Sequence, residues 1–264
     1  MSPGPLVRIA YGTLTVDIAP SAGGRIAQII ADGQTWLVGH DESHEAMIAW
    51  GSYPMLPWAG RIRHGRFRFR ERDYQLPRNF GAHAIHGIAF SRPWWIDGHS
   101  PTHIDLSLPL PEDESWPFGG IARQRIEVSQ DRLRMTLSLT AGEQTVPVTL
   151  GWHPWFRKPD RLEFAPRRMY PRDAEGIATL PLIDPPPPPW DDCFLNDQPV
   201  VMHRAGQRVR LTSSCDHWVV YDETTHATCI EPQSGPPDAF NLMPTYQLSP
   251  GETLSAWYTL EWVS

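Results

Sequence analysis

Apolar and polar residues alternate along most of this chain. In "DRLRMTLSLT", Leu133, Met135, Leu137 and Leu139 occupy every second position, the period of a strand with one face buried and the other wetted. In "GRFRFRERDYQL", Phe67 and Phe69 alternate with Arg66, Arg68 and Arg70. A turn at Glu71–Asp73 and a return through Tyr74 and Leu76 then predict a hairpin. "IAQIIADGQTWLV" places Asp32–Gly33 between two apolar runs, a strong two-residue hairpin signal. Val146, Val148, Leu150 and Trp152 alternate as well, which predicts a strand that Pro154 stops. "TLSAWYTLEWV" closes the chain with a strand rich in β-branched and aromatic residues. No long segment repeats with the helical period. The expectation is an all-β fold, a large antiparallel β-sandwich, with residues 1–264 forming a single domain.

Composition refines this picture in a few places. The 28 prolines and 20 glycines fall mainly between the apolar runs. Five of the prolines are consecutive in "PLIDPPPPPW", a stiff polyproline stretch. Because the strand pattern is of one kind on both sides, it reads as a rigid loop and not as an interdomain linker. The formal net charge of −7 argues against nucleic-acid and anionic-membrane partners. Cys193, Cys215 and Cys229 lack the spacing of a disulfide framework or a zinc knuckle. The start, "MSPGPLVRIAYG", has no basic and apolar leader pattern, and no apolar run is long enough to span a bilayer. A soluble, cytoplasmic protein is expected. Twelve tryptophans serve a large aromatic core first, and stacking on sugar rings second.

Several segments carry groups capable of chemistry. "GWHPWF" sets His153 on the face opposite Val148 and Leu150, beside Gly151 and Trp155, and the glycine is expected to leave open space next to the imidazole. "GAHAIHG" holds His83 and His86, which could join His153 and Glu231 in a metal site, although a metal-free site is the preferred reading. Prolines and glycines stiffen the backbone around Arg61, whose guanidinium could donate to ligand oxygens; Arg63 and Arg66 read as exposed edge residues. "WDDCF" offers Asp191 and Asp192, of which strand parity admits at most one to a pocket. "CIEPQSGPPDAFN" ends an apolar strand on the carboxylate Glu231, followed by a rigid turn. A glycine-rich nucleotide loop and a GxSxG nucleophile elbow are both missing from the sequence.

In their order, "PWAGRIRHGRF", "HAIHG", "SWPF", "GWHPWF", "WDDCF" and "EPQSGPPDAFN" resemble the aldose 1-epimerase (galactose mutarotase) superfamily, from about Pro54 to Asn241. The resemblance implies a supersandwich fold, a sugar held in a cleft on one sheet, and anomer interconversion without metal or other cofactor. It implies His153 as general acid and Glu231 as general base, with Arg61, His86, Asp191 and Gln233 as sugar-binding residues. Gly60 departs from the asparagine that galactose mutarotases place before the arginine, and the turn after Glu231 is richer in proline. Three other readings stay open. A hexose-6-phosphate 1-epimerase would draw on Arg61, Arg63 and Arg78 for the phosphate. A glycosidase would need two carboxylates such as Glu231 and Asp191. A non-catalytic carbohydrate-binding protein would keep Arg61 and the aromatic residues without needing both His153 and Glu231.

Overall fold

A computed structural model describes residues 2–42, 47–242 and 246–263. The alternating segments become two large antiparallel sheets. Among the described residues the first has ten strands. Its spatial order is Val7–Tyr11, Leu14–Ala19, Arg25–Ala31, Ser52–Met55, Gly151–Arg157, Ala227–Gln233, His217–Tyr221, Asp191–Leu195 and Arg168–Tyr170, with Gln34–Thr35 paired to Arg25–Ala31. The second has eight: Trp95–His99, His103–Pro109, Ile121–Ser129, Arg132–Thr140, Thr253–Val263, Gln207–Ser213, Val200–Arg204 and Arg161–Glu163. The described α-helix is a four-residue piece, Ala239–Leu242. Among the described residues no helix is long and apolar enough to cross a membrane.

One face of each sheet packs on the other. Leu133, Met135, Leu137 and Leu139 meet Trp152, Phe156, Trp218 and Ile230 in one buried cluster. Tyr258 joins the layers: its ring lies 5.9 Å from those of Trp152 and Trp218, and its hydroxyl donates to the Ile230 carbonyl at 3.2 Å. Period two then sends the intervening residues of the first sheet, Tyr53, His153, Trp155, Glu231 and Gln233, to the opposite face.

The hairpins form where expected, with one shift. Asp32 and Gly33 supply the positive φ angles of their turn, 48° and 76°. The second hairpin turns at Arg70–Glu71, with φ of 46° and 64°, one residue before the expected position, and its strands pair Phe69 with Arg72. The proline run lies between Arg168–Tyr170 and Asp191–Leu195, strands that pair with each other, so it is a loop within one sheet.

The strand expected from Val146 to Trp152 is interrupted, and Pro154 does not end it. Val146–Val148 pairs with Tyr246–Leu248 in a small separate sheet. Thr149 breaks the run: its N–H donates to the Pro57 carbonyl at 3.0 Å and its hydroxyl accepts from the Ala59 N–H at 3.0 Å. The chain then re-enters the large sheet as Gly151–Arg157, with Pro154 in its interior.

Candidate active site

Strand register assembles the site. Tyr53 stands level with His153. Gly151 pairs with Gln233 and Trp155 with Cys229, so the same register places His153 level with Glu231. Glu231 is level with Val219, and Val219 with Cys193. One step along the strands, Trp155, Cys229, Tyr221 and Asp191 form a parallel row. His153 Nε2 lies 3.3 Å from Glu231 Oε1, and the Gln233 amide donates to Glu231 Oε2 at 3.3 Å. Pairing along this ladder skips the three positions from 152 to 154. Pro154 and Pro232, one on each strand of the gap, have no N–H to donate.

Above this grid opens a cavity of about 340 Å³, and Arg61, His86, His153, Asp191, Glu231 and Gln233 all line it. Arg61 comes from the short strand Arg61–Ile62, paired with Ala84–Ile85. Its guanidinium donates to the Gly176 carbonyl at 3.3 Å and lies 5.8 Å from the Phe80 ring centroid. His86 sits in the left-handed region at φ 59°. Its imidazole meets that of His153 edge-on at 4.8 Å, and its buried Nδ1 has no hydrogen-bond partner among the described residues. Gly87 must be glycine, since a Cβ there would stand 1.9 Å from the Leu56 carbonyl oxygen. Asp191 lines the cavity, while Arg172 bridges it to Asp192.

Several expectations need correction. Gly151 leaves no open space beside the imidazole, because a Cβ would lie 2.6 Å from the Pro232 carbonyl oxygen; the glycine lets two strands approach. His83 does not join His86 in a metal set, because its Nδ1 accepts the His64 N–H at 3.1 Å outside the cavity. The potential ligand atoms that do converge, within 4.8 Å of one another, belong to His153, Cys229 and Glu231. Arg63 is not a free edge residue: it pairs with Asp173 and Glu175. Arg78 lines a separate surface groove with His64 and Arg66, so the three arginines of the phosphate reading are not gathered around one cavity. Gly60 has its own reason to lack a side chain, because atoms of Pro237 lie 2.8–2.9 Å from where its Cβ would be.

The electrostatics differ from those of two ordinary exposed groups. Burial raises the Glu231 carboxyl well above the usual carboxylate range, and Asp191 adds to the rise, while Arg61 and the Gln233 hydrogen bond oppose it. Burial lowers His153 to about 3, with Arg25 acting in the same direction. Burial therefore favours a neutral imidazole and a protonated carboxyl. Together the two side chains can pass a proton between each other and a bound hydroxyl.

Three more neighbours complete the surroundings, and pattern reading missed two of them, Tyr53 and Glu223. Tyr53 stacks on His153 at 4.8 Å and 24°. Trp155 stacks on the same imidazole at 5.5 Å and 15°. Glu223 adds a carboxylate to the cavity lining. Parity along "GWHPWF" placed Trp155 beside His153. Tyr53 and Glu223 depend on strand neighbours that no local pattern shows.

Comparison with known proteins bears on the family and the fold. The family model for aldose 1-epimerase matches residues 5–261. The chain is 31% identical over 151 residues to the uncharacterized protein YphB of Escherichia coli (strain K12), covering 56% of this chain and 50% of that protein. It is 27% identical over 157 residues to the uncharacterized protein YihR of the same organism, covering 58% and 50%. The aligned part thus spans about half the length of these curated relatives. Among solved structures, a putative aldose 1-epimerase from Escherichia coli K12 superposes with a TM-score of 0.86 at 22% identity, over 98% of this chain and 99% of that one. A galactose mutarotase-like protein from Clostridium acetobutylicum gives 0.87 at 17% identity, over 98% and 95%. Two facing sheets, a cavity on the outer face of one, and a family match along nearly the whole sequence lead to one assignment: the chain belongs to the aldose 1-epimerase family.

Proposed function

We propose that the chain is a mutarotase that interconverts the α and β anomers of a free aldose, with Glu231 and His153 as the proton-transfer pair. The observation that carries this reading is the 3.3 Å contact between His153 Nε2 and Glu231 Oε1 on the floor of a sugar-sized cavity. A bound sugar brings hydroxyls into an otherwise poorly solvated space. Donation from them, together with Arg61 and Gln233, favours the Glu231 carboxylate, and the pair's proton then rests on His153. Glu231 takes the proton of the C1 hydroxyl as His153 gives its proton to the ring oxygen. The C1–O5 bond breaks and an open-chain aldehyde forms. Rotation about C1–C2 presents the other carbonyl face, and the same transfers run backwards to reclose the ring. An imidazolium made acidic by burial suits a ring ether oxygen, which is a weak base. His86, Arg61, Asp191 and Gln233 hold the sugar in register.

Charge favours an unphosphorylated sugar over a hexose 6-phosphate. Glu231, Asp191 and Glu223 line the cavity, and Arg61 is the one arginine that does. The test is polarimetric mutarotation across a panel of free and phosphorylated aldoses. Folded Glu231→Gln and His153→Asn variants are expected to lose about 10²–10⁴-fold in rate. Full rate in both, on an aldose the wild type accelerates, would sink the assignment. Sugar binding without any acceleration by the wild type would favour a non-catalytic binding protein, and faster turnover of glucose 6-phosphate than of glucose would favour the phosphate reading.

A further inference from the structure

Beneath the His153 imidazole lies a buried cation that the proposed chemistry has not used. Arg25 is fully buried. Its Nε donates to the Ala22 carbonyl at 2.7 Å, Nη1 to Trp50 at 3.1 Å, and Nη2 to Met47 at 2.9 Å and Phe90 at 3.1 Å, all backbone oxygens. Among the described residues, none of the ion pairs includes Arg25. Taking a guanidinium out of water with no counter-charge is a costly way to fill a core. Four hydrogen bonds to backbone carbonyls offset part of that cost and give the guanidinium a structural role, but they do not by themselves explain why the charge stands beside the site.

The position of the charge gives a reason. The guanidinium carbon lies 4.2 Å from the Trp50 ring centroid and 5.0 Å from that of Tyr53. Tyr53, fully buried, stacks with its other neighbour, His153, at 4.8 Å and 24°. Cation, phenol and imidazole are thus consecutive layers, and the carbonyl cage fixes the first of them. The remaining groups around His153 are Glu231 at 3.3 Å, His86 edge-on, Trp155 stacked and Cys229, with Arg61 and Asp191 further along the cavity wall. Of the cations, Arg25 is the one caged in backbone carbonyls.

We propose that Arg25 is a positioning residue of the acid–base pair: through Tyr53 it holds the imidazole plane, and its fixed charge makes a proton on His153 easier to give up. This rests on His153 being the acid of the proposed reaction. A nearby positive charge disfavours the imidazolium, so it strengthens the acid that must protonate a ring oxygen. Lysine would retain the charge; methionine would remove it at similar length.

Two readouts on the intact protein test this. In histidine-labelled protein followed by NMR, with the His153 resonance assigned by its loss in His153→Asn, Arg25→Met should move the His153 titration upward by a pH unit or more, while Arg25→Lys stays with wild type. In mutarotation, Arg25→Met should lower kcat at least tenfold with KM within twofold, and Arg25→Lys should recover most of that loss. An unmoved titration in folded Arg25→Met overturns the proposal, as does an equal loss of rate in the lysine and methionine variants, which would mean a scaffold with no electrostatic part. Should Arg25→Met not fold, Tyr53→Leu decides: it keeps the carbonyl cage and removes the intervening ring, and wild-type kcat in that variant refutes the proposal. If the wild type accelerates no sugar, the mutarotase reading fails, while the NMR titration still reports on Arg25.

Discussion

Gly151 offers a test in which the steric cause can be worked out before the experiment. It stands level with Gln233 on one side and Met55 on the other, two residues before His153. An alanine Cβ there would lie 2.6 Å from the Pro232 carbonyl oxygen, 3.0 Å from Gln233 Cγ and 3.1 Å from Gln233 Cα. Carbon–oxygen contacts of this kind settle near 3.3 Å, so the strands must part by about 0.7 Å. The obstruction is backbone, which cannot rotate away. Its φ lies outside the left-handed region, so the effect is one of packing. Overpacking of this kind costs about 1–3 kcal/mol. The same displacement carries His153 away from Glu231, and a misplacement of about 1 Å in a reacting pair costs on the order of 10²-fold in rate. Gly151→Ala should therefore lower the urea midpoint and the polarimetric rate together. Gly98→Ala is the control: nothing lies within 4 Å of its added carbon, and its stability should stay within about 0.5 kcal/mol of wild type. A Gly151→Ala protein with wild-type midpoint and rate would refute the claim that this glycine sets the spacing of the pair.

Other outcomes follow from groups already described. Burial raises Glu231 in the folded chain, so its stabilising contribution is complete below the unfolded value, about 4.3, and is lost as pH rises through the folded one; urea midpoints of wild type should fall relative to Glu231→Gln over that rise. His153 works in the opposite sense: held at about 3, it contributes stability above about 6.5 that is lost as pH falls toward 3, and His153→Asn should flatten that loss. Tyr258→Phe removes the hydroxyl that joins the sheets at Ile230 and should cost about 1 kcal/mol in denaturation, with mutarotation unchanged. Arg172→Met should raise KM several-fold with kcat within twofold, because it frees Asp191 from the cation that bridges it to Asp192.

The strands were legible because half-buried sheets impose period two on their residues, and "DRLRMTLSLT" runs as one strand from Arg132 to Thr140. The misreading at Val146–Trp152 has a non-local cause. Thr149 is drawn out of line by Pro57 and Ala59, nearly a hundred residues earlier. At the site, the strand-end carboxylate Glu231 stood out in its own segment, and the order of motifs pointed to His153, His86, Arg61, Asp191 and Gln233. His83 and His86, three apart in sequence, have different surroundings: His83 accepts from the His64 N–H, while His86 sits in the left-handed region and meets His153 edge-on. Tyr53 and Arg25 left no mark in any local pattern, since what they touch is decided by strand neighbours and, beyond the adjacent Ala22, by carbonyls from two distant segments.

The paired prolines have a mechanical consequence. An interior strand normally resists sideways motion through a continuous row of N–H donors. Between Gly151–Gln233 and Trp155–Cys229 that row is thinned, with Pro154 contributing no donor from one side and Pro232 none from the other. The rows to either side hold the sheet together, so the fold keeps its shape while this short span is softer than its surroundings. His153 and Glu231 sit in the middle of it. The separation between them can adjust with fewer backbone bonds to stretch, a compliance that the proposed transfer of protons to and from a sugar would use.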